Sequence, residues 1–349
     1  MLKQYDIFQS RKLGDTTSVG FVCRPSFVSF ISFLTNAPHI NSTTANGPEG
    51  SAVKGRLEYV ILKVLGEGGF GFVFLVHDAN KECAMKVEKK IETRRHSKLK
   101  MEISILKIMA NLNRSTEKNQ LLKKNRGCVA NFYFMVIDLV GKCLADLKLV
   151  RPEKTMSLAT GLGVGIQSPE DIEDLHEIQF IHRDIKPANY ACGKAPNTHV
   201  IYRLDFGIAR KVMNKDNCLK TPRERVGFKG TVRFASLACH RNQELGRKDD
   251  VECWLYMMMD ILIRQESEKD VVGEMKTKAR DEKSSVHKEF YGDLIGKDKF
   301  HAILKYLEGL QYVDTPDYKY IYNLLREIGK EANADPDALF DWEEAKKKD

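Results

Sequence analysis

The pattern of apolar residues changes near Gly141, and this change is the strongest constraint on the fold. Before it, short alternating or continuous apolar runs predict β-strands at residues 59–65, 72–77, 82–87 and 131–139, with one helix at 97–111. After it, helical spacing dominates, at residues 171–175, 251–263, 300–310 and 318–328. A strand-rich part followed by a helix-rich part predicts an α+β protein with two lobes and a cleft between them.

Composition limits the classes of protein that this sequence can form. The chain has 349 residues, of which 42% are hydrophobic and 30% charged, as expected for a large folded core. The net charge of +8 comes from lysines scattered along the chain, so it predicts a solvated surface rather than a nucleic-acid site. The eight cysteines form no C-x-x-C pair and are expected to be small buried side chains in a reducing compartment.

The first 53 residues share no pattern with the rest of the chain. Residues 26–33 alternate like a strand, and a loop rich in Asn, Thr, Pro and Gly comes after them. Three interpretations stay open: a flexible extension, an added edge strand, or a mispredicted gene start. The N-terminus carries charges of both signs where a signal peptide needs an apolar core, and residues 26–40 are too short to span a bilayer. We therefore expect no membrane segment and a cytoplasmic protein, with the nucleus as a second location.

A glycine motif of the form G-x-G-x-x-G-x-V lies between the first two predicted strands. Glycines without a Cβ allow backbone N–H groups to approach phosphates closely. The position between two strands, and the lack of a G-K-[ST] sequence, argue against a dinucleotide fold and a P-loop. A second cluster, Gly161-x-Gly163-x-Gly165, has no strand before it and is expected to bind nothing. The motif itself comprises Leu65, Gly66, Gly68, Gly71 and Val73.

Two further motifs lie in the helix-rich part. The sequence from His182 to Asn189 matches H-R-D-x-x-x-x-N, and Asp205-Phe206-Gly207 comes after it. Upstream, Lys86 lies near the end of an apolar strand and Glu102 lies on the predicted helix, where it could pair with that lysine. Together with the glycine motif, these residues resemble the eukaryotic protein kinases over residues 53–330.

Within that fold the chain is similar to the casein kinase 1 superfamily, and most similar to its tau-tubulin kinase-like branch. Residues 230–236 replace the A-P-E segment of most kinases, and residues 144–147, 246–250 and 340–343 are similar to the same branch. The resemblance implies a serine/threonine kinase that uses ATP and Mg²⁺. The predicted domains are an extension at 1–53, for which disorder is one expectation, a kinase domain at 54–330 with lobes at 54–139 and 141–330, and a tail at 331–349.

The resemblance also assigns roles to residues. Asp184 would accept the proton of the attacking hydroxyl, Asn189 and Asp205 would bind Mg²⁺, and Lys86 and Lys186 would neutralise the transferred phosphoryl group. Thr231 would brace Asp184 and Lys186, and Asp250 would anchor the catalytic loop. Leu106, His182 and Phe206 would stack between the lobes. Glu102 would hold Lys86, and the adenine would be bound by Ala84, Ile137, Asp138, Val140 and Ala191.

The implied partners are ATP and protein substrates, acidic or already phosphorylated, with neither nucleic acid nor membrane, and the expected state is a monomer. The alternative is a catalytically weak or inactive scaffold that keeps the kinase shape. Pro169 lies in the long helix before the catalytic loop and predicts a kinked or shortened helix, weakened further by Gly161, Gly163 and Gly165. The competing interpretation begins a second helix after Ser168.

Two other departures affect substrate and partner recognition. Residues 264–267 replace a Leu-Pro-Trp turn that shapes an anion pocket in the family, which places recognition of phosphorylated substrates in question, although Arg223 and Lys278 could still contact a phosphate. Residues 94–100 form a basic patch, interpreted as a solvated surface or as a docking site for an acidic partner.

Overall fold

A computed structural model describes residues 59–68, 71–78, 81–91, 97–110, 123–129, 132–263 and 273–343. The expectations for residues 1–53, for residues 94–96 of the basic patch and for the replaced turn at 264–267 lie outside the described residues.

The first part of the chain forms a five-stranded antiparallel sheet in the order β1-β2-β3-β5-β4. One helix, α1 (Lys98–Met109), packs against it, and its apolar residues Leu99, Ile103 and Leu106 are buried. The α+β prediction is confirmed for this part of the molecule. The strands are β1 (Val60–Gly68), β2 (Gly71–His77), β3 (Glu82–Lys89), β4 (Lys123–Val129) and β5 (Phe132–Asp138).

The second part is mainly helical, as predicted. Its core surrounds a buried helix, α5, whose Trp254, Leu255 and Met257 have no exposed surface. This part also contains two pairs of short strands, with β6 pairing to β9 and β7 to β8. The helices are α2 (Leu144–Leu149), α3 (Leu158–Glu177), α4 (Leu237–His240), α5 (Arg247–Leu262), α6 (Gly273–Lys278), α7 (Ser285–Tyr291), α8 (Lys297–Gly309) and α9 (Tyr318–Glu331); the strands are β6 (Phe180–Ile181), β7 (Tyr190–Cys192), β8 (Ile201–Arg203) and β9 (Arg210–Lys211).

The helix that contains Pro169 is neither shortened nor divided. Helix α3 runs through twenty residues with Pro169 inside it. Ser168 does not cap a second helix, because its hydroxyl donates to the carbonyl of Val164 at 2.7 Å and accepts from the indole of Trp254 at 3.0 Å. The expectations of a shortened helix and of a second helix that begins after Ser168 are therefore wrong, because tertiary packing on α5 holds the helix together across the proline.

The three glycines of α3 serve close packing. A Cβ at Gly161 would overlap the side chain of Leu262, and one at Gly165 would lie 2.8 Å from Met258, both on α5. A Cβ at Gly163 would meet the carbonyl of Pro336 at 2.5 Å. These glycines lower helix propensity but allow α3 to approach its neighbours.

A segment after α9, residues 335–343, packs on the helical part. Phe340 is fully buried and its ring stacks on His199, with centroids 4.1 Å apart. Glu343 accepts a hydrogen bond from Thr198 at 2.7 Å, and the backbone N–H of Ser157 donates to Asp341 at 2.8 Å. The segment thus connects the start of α3 to the loop before β8.

Two further observations concern the chemistry of the chain as a whole. Four of the seven described cysteines are buried and all seven are free thiols, which agrees in part with the expectation of small buried side chains. Within the described ranges, no helix combines the length and apolar character needed to cross a lipid bilayer.

Candidate active site

The predicted phosphate lysine lies between two carboxylates at the edge of the sheet. Nζ of Lys86, on β3, is 2.6 Å from a carboxylate oxygen of Glu102 on α1 and 3.1 Å from Oδ1 of Asp205. The Glu102 side chain is 5% exposed and that of Asp205 is 51% exposed. The lysine therefore connects a buried anion on α1 to an open anion in the loop after β8.

The charges of this group explain its pKa shifts. Burial alone lowers the pKa of Lys86, but the Glu102 and Asp205 carboxylates outweigh burial and hold this pKa above its ordinary value. Burial, together with the neighbouring Asp205 carboxylate, raises the pKa of Glu102 although Lys86 lowers it. For Asp205 burial also raises the pKa, but Lys86 and the N–H of Gly207 outweigh it, so the pKa falls below its usual range. Lys86 is therefore cationic and Asp205 anionic at neutral pH.

A second group surrounds Asp184 in the catalytic loop. Oδ1 of Asp184 accepts a hydrogen bond from the hydroxyl of Thr231 at 2.8 Å, and Oδ2 lies 2.8 Å from Nζ of Lys186. Lys186 also donates to the Thr231 hydroxyl at 2.9 Å, and Nδ2 of Asn189 donates to Asp184 at 3.2 Å. The carboxylate is thus oriented by three side chains, while 15% of the Asp184 side chain stays exposed.

The catalytic loop is anchored from below by α5. The Asp250 carboxylate, buried on α5, accepts hydrogen bonds from the backbone N–H groups of His182 at 2.6 Å and Arg183 at 2.8 Å. These contacts are the anchor that the resemblance implied. They hold Arg183 at φ 70°, a left-handed conformation that an arginine seldom adopts without such support.

His176 on α3 completes this anchor. Burial lowers the pKa of His176, so the neutral ring donates from Nε2 to Asp250 at 3.0 Å. Its Nδ1 accepts from the hydroxyl of Tyr318 at 2.6 Å. The predicted inter-lobe stack is also present: the rings of His182 and Phe206 are 5.6 Å apart, and Phe206 shares a buried cluster with Leu106.

The residues predicted to bind the nucleotide lie on the strands that border Lys86. Gly68 pairs with Gly71 across the turn between β1 and β2, and Gly66 pairs with Val73. Leu65 is 44% exposed and is one of the exposed apolar residues of β1. The glycines differ in the space around them: a Cβ at Gly71 would overlap the carbonyl of Val87, whereas one at Gly66 would have nothing within 4 Å.

The pairing of β3 with β5 positions residues that are expected to bind adenine. Ala84, two residues before Lys86, pairs with Ile137, and Cys83 pairs with Asp138. The Asp138 carboxylate forms an exposed ion pair with Lys81 at 3.0 Å, so its side chain is turned to the surface. Val140 is partly buried in the segment between β5 and α2, while Ala191 on β7 is 1% exposed and forms a bridge with Cys143.

The donor set fits a magnesium ion that is shared with a nucleotide. Asp205 has one oxygen on Lys86 and the N–H of Gly207, and its half-exposed carboxylate remains open to solvent. Asn189 uses its N–H group toward Asp184, which leaves the amide oxygen as an acceptor. Within the described ranges no cluster of three His, Cys, Asp or Glu residues could hold a metal. Mg²⁺ accepts such a site, because it takes few protein oxygens and completes its shell with phosphates and water.

A basic cavity of about 240 Å³ lies beside the catalytic loop, under the segment after β9. It is lined by Arg183, Arg210, Arg223 and Lys229, together with Glu244. Glu244 is nearly buried and pairs with Arg223 at 2.5 Å and with Arg210 at 3.5 Å. Burial raises the pKa of Glu244, but the two arginines outweigh it and lower this pKa. Lys278 does not line this cavity and pairs with Glu274 at the surface.

One positioning residue gave no signal in the sequence. Glu88, two residues after Lys86 on β3, accepts hydrogen bonds from the hydroxyl of Ser97 at 2.6 Å and the N–H of Leu99 at 2.7 Å. It therefore caps the N-terminus of α1, the helix that carries Glu102. Only the spacing of Lys86 and Glu88, which puts both on one face of β3, could have indicated it.

Comparison with known proteins agrees with this geometry. The family model for the protein kinase domain matches residues 59–292. A probable serine/threonine-protein kinase of Dictyostelium discoideum is 31% identical over 84% of this chain and 58% of its own length. The serine/threonine-protein kinase spe-6 of Caenorhabditis elegans is 29% identical over 82% of this chain and 76% of its own, and a probable casein kinase I homolog of Encephalitozoon cuniculi is 28% identical over 81% and 92%.

The chain spans little more than half of the length of the first of these relatives. The match to the family model nevertheless covers the sheet and the helical part as far as α7, and it includes every residue of the Lys86 and Asp184 groups. The chain belongs to the protein kinase domain family.

Proposed function

We propose that this protein is a serine/threonine kinase that transfers the γ-phosphoryl group of ATP to hydroxyl groups of protein substrates. The observation that carries the proposal is the joint presence of two complete charge groups: Lys86 between Glu102 and Asp205, and Asp184 bound to Lys186 and Thr231. An inactive scaffold has no need to keep a partly exposed carboxylate oriented by three side chains. The geometry supports catalysis over the scaffold alternative.

On this proposal each group has a distinct task. Asp184 orients the acceptor hydroxyl and takes its proton. Its Oδ2 atom lies beside Lys186 and not beside Lys86, the lysine that pairs with the nucleotide. Lys186, paired with Asp184, would neutralise charge that develops on the transferred phosphoryl group. Lys86 pairs with the phosphates, and Glu102 fixes its ammonium from the buried side.

The strand register supports the proposed nucleotide contacts. Leu65, Gly66, Gly68, Gly71 and Val73 would cover the phosphates and ribose. They lie on β1 and β2, and Val73 pairs with the phosphate lysine, Lys86. Ala84, Ile137, Asp138, Val140 and Ala191 would enclose the adenine, with Asp138 and Val140 contributing backbone groups. Mg²⁺, held by Asp205 and Asn189, would supply charge neutralisation at the phosphates.

The subfamily and the substrate class are proposals of the same kind. We place the chain in the tau-tubulin kinase-like branch, supported by the segment from Gly230 to Ser236, whose Thr231 contacts both Asp184 and Lys186. Acidic or phosphorylated substrates fit the basic cavity, but Glu244 already neutralises two of its arginines. A substrate phosphate would have to compete with that carboxylate, so we expect a preference for acidic substrates without a strict requirement for phosphorylation.

A monomer in the cytoplasm, or alternatively in the nucleus, is our proposal for the state and location of the protein. The free thiols of the described cysteines support a reducing compartment. We propose neither a nucleic-acid nor a membrane partner.

The test is a phosphorylation assay with purified protein, radiolabelled ATP, Mg²⁺ and an array of serine- and threonine-containing peptides. We expect incorporation that needs Mg²⁺ and favours peptides with acidic residues near the acceptor. A matched array with the hydroxyl residues replaced by alanine should stay unlabelled. Nucleotide binding without any incorporation over the background would overturn the proposal in favour of the scaffold.

A further inference from the structure

The proposed catalytic roles do not use the buried ammonium of Lys276. Lys276, on α6, has no exposed surface. Its ammonium donates to the carbonyl of Ala235 at 2.6 Å and to that of Arg233 at 2.9 Å, and the carbonyl of Val232 lies at 3.4 Å. A fully buried lysine is costly unless its charge is satisfied, and here backbone oxygens of one short segment satisfy it.

That segment, residues 230–236, also reaches the catalytic centre. Thr231 at its start bonds to Asp184 and Lys186. Gly230 has φ 97°, and a Cβ there would meet the carbonyl of Arg183 at 2.5 Å, so the segment lies directly on the catalytic loop. Its Val232 side chain is 41% exposed, whereas Ala235 is buried. One side of the segment is therefore held by Lys276 while the other is open beside the acceptor carboxylate.

Outside this segment the ammonium of Lys276 lies beside an aromatic ring and an imidazole. The ammonium lies 4.1 Å from the ring centroid of Tyr256 and 3.4 Å from Nε2 of His240. Among the charged groups that face it, Glu252 is itself paired with Arg280 at 2.7 Å. Within the part of the chain that the structure describes, the oxygen atoms that accept hydrogen bonds from this ammonium all belong to the backbone of residues 232–235.

We propose that Lys276 is a positioning residue for protein substrate: it fixes the backbone of residues 231–235 from inside the protein and so sets the surface on which the acceptor peptide lies. This inference rests on the proposed kinase function and extends it to a residue outside the cleft. It predicts that loss of the ammonium affects the peptide and leaves the nucleotide site, which is built on the sheet, unchanged.

The first experiment replaces Lys276 with methionine, which keeps the length of the side chain and removes the three donors. We expect the KM for a peptide substrate to rise about tenfold, as loss of several hydrogen bonds to a charged group implies, with the KM for ATP unchanged within about twofold. Lys276→Arg, which keeps charge and donors, should recover much of the peptide KM. Lys283→Met, at an exposed lysine after α6, is the control and should match the wild type.

A merely structural role would give a different result. A variant that is only less stable lowers the active fraction, so the apparent kcat falls while both KM values stay where they were. That outcome, or an equal rise of both KM values, overturns the proposal. Wild-type and Lys283→Met turnover test the proposed function separately: if neither transfers phosphate, the kinase proposal fails, and amide hydrogen exchange of residues 231–236 still tests Lys276, with faster exchange expected only in Lys276→Met.

A second measurement, the pH dependence of the peptide KM, tests the proposal even if Lys276→Met does not fold. Burial lowers the pKa of Lys276 to about 8, so its ammonium loses one of its three donors as the pH rises through that value. We expect the peptide KM of the wild type to rise about two- to fourfold between roughly pH 7 and pH 9, and to stay flat in Lys276→Arg, whose guanidinium does not titrate there. A flat wild-type profile overturns the proposal. Six titratable or charged groups face the ammonium and affect its pKa or contact it: Cys239, His240, Glu252, Cys253, Tyr256 and Arg280.

Discussion

At the scale of single residues, the charge of Lys86 is balanced by one buried and one open carboxylate. The buried partner, Glu102, holds the lysine when no nucleotide is present, and the open partner, Asp205, is available to other ligands. An ion pair with one buried member is strongly coupled to the position of its helix. The position of α1 is therefore part of the active site, and Glu88 contributes to it by capping the helix.

We predict that Lys86→Met lowers kcat/KM by about 100-fold or more, because the phosphates lose their charge partner and Glu102 is left buried without a cation. Glu102→Gln should cost about tenfold, since the amide can still accept a hydrogen bond from the lysine. Steady-state kinetics measure both. Lys89→Met, at an exposed lysine of the same strand, is the control. Wild-type kinetics in Lys86→Met would show that the small lobe has been assigned incorrectly.

Residues with chemical signatures could be assigned from the sequence, while residues that act through packing could not. Asp184, Lys86 and Asp205 lie in motifs whose spacing reports their chemistry. Glu88 and His176 act on backbone groups and on Asp250, at contacts that join distant parts of the chain. A contact across such a separation leaves no local pattern, and only the folded structure brings the two ends together.

At the scale of elements, α3 shows why local propensity gave the wrong expectation. Three glycines and a proline predict a weak, broken helix, yet the helix is continuous because it is buried between α5 and residues 335–343. The strand predictions held better, since alternation and apolar runs mark a sheet directly. Strand β4 was missed because its sequence, KKNRGCV, is polar and gives no such signal.

The glycine packing of α3 leads to a specific expectation. Gly163→Ala should destabilise the protein by about 1–3 kcal/mol, because the added methyl meets the backbone carbonyl of Pro336, which cannot rotate away. Gly309→Ala, at the end of α8 with nothing within 4 Å, should be neutral or stabilising by about 0.5 kcal/mol. Urea denaturation of both variants decides this. Equal stability of the two would mean that α3 has more room than the structure gives it.

Pro169 allows a test in the opposite direction. Replacing it with alanine restores an N–H for the carbonyl of Gly165 and relieves a cost of about 3 kcal/mol, while removing two buried methylenes costs about 1.6 kcal/mol. We therefore expect Pro169→Ala to raise the free energy of unfolding by about 1–2 kcal/mol. Glu177→Ala, at an exposed position of the same helix, is the control. A lower free energy of unfolding in Pro169→Ala than in the wild type would indicate that packing of the proline ring contributes more stability than the two buried methylenes account for.

At the scale of the whole molecule, the helical part includes the segment after α9. Phe340 fills a buried position between α3 and the loop before β8, so we expect Phe340→Ala to cost about 3–5 kcal/mol. Its neighbour Leu339 is 60% exposed, and Leu339→Ala should change stability by less than about 0.5 kcal/mol. Thermal melts compare the pair. A Phe340→Ala melting temperature equal to that of Leu339→Ala would show that residues 335–343 do not pack as described.

The two lobes meet at the site through a small number of side chains. Lys86 and Glu102 belong to the sheet and α1, Asp205 and Asp184 belong to the loops of the helical part, and Phe206 packs with both. Catalysis on this account therefore depends on the lobes holding one relative position, with phosphates bound at Lys86 and the acceptor hydroxyl bound at Asp184.

The most direct test of the proposed catalytic role of Asp184 compares phosphate transfer by Asp184→Asn and by the wild type. The affinity for ATP is measured on the same samples. The asparagine keeps the contact to Thr231 but cannot accept the proton of the acceptor hydroxyl, so kcat should fall by about 1000-fold or more. The Kd for ATP with Mg²⁺ should stay within about threefold, because Asp184 lies in the group that faces the acceptor. A variant that keeps a substantial fraction of wild-type turnover would contradict the account.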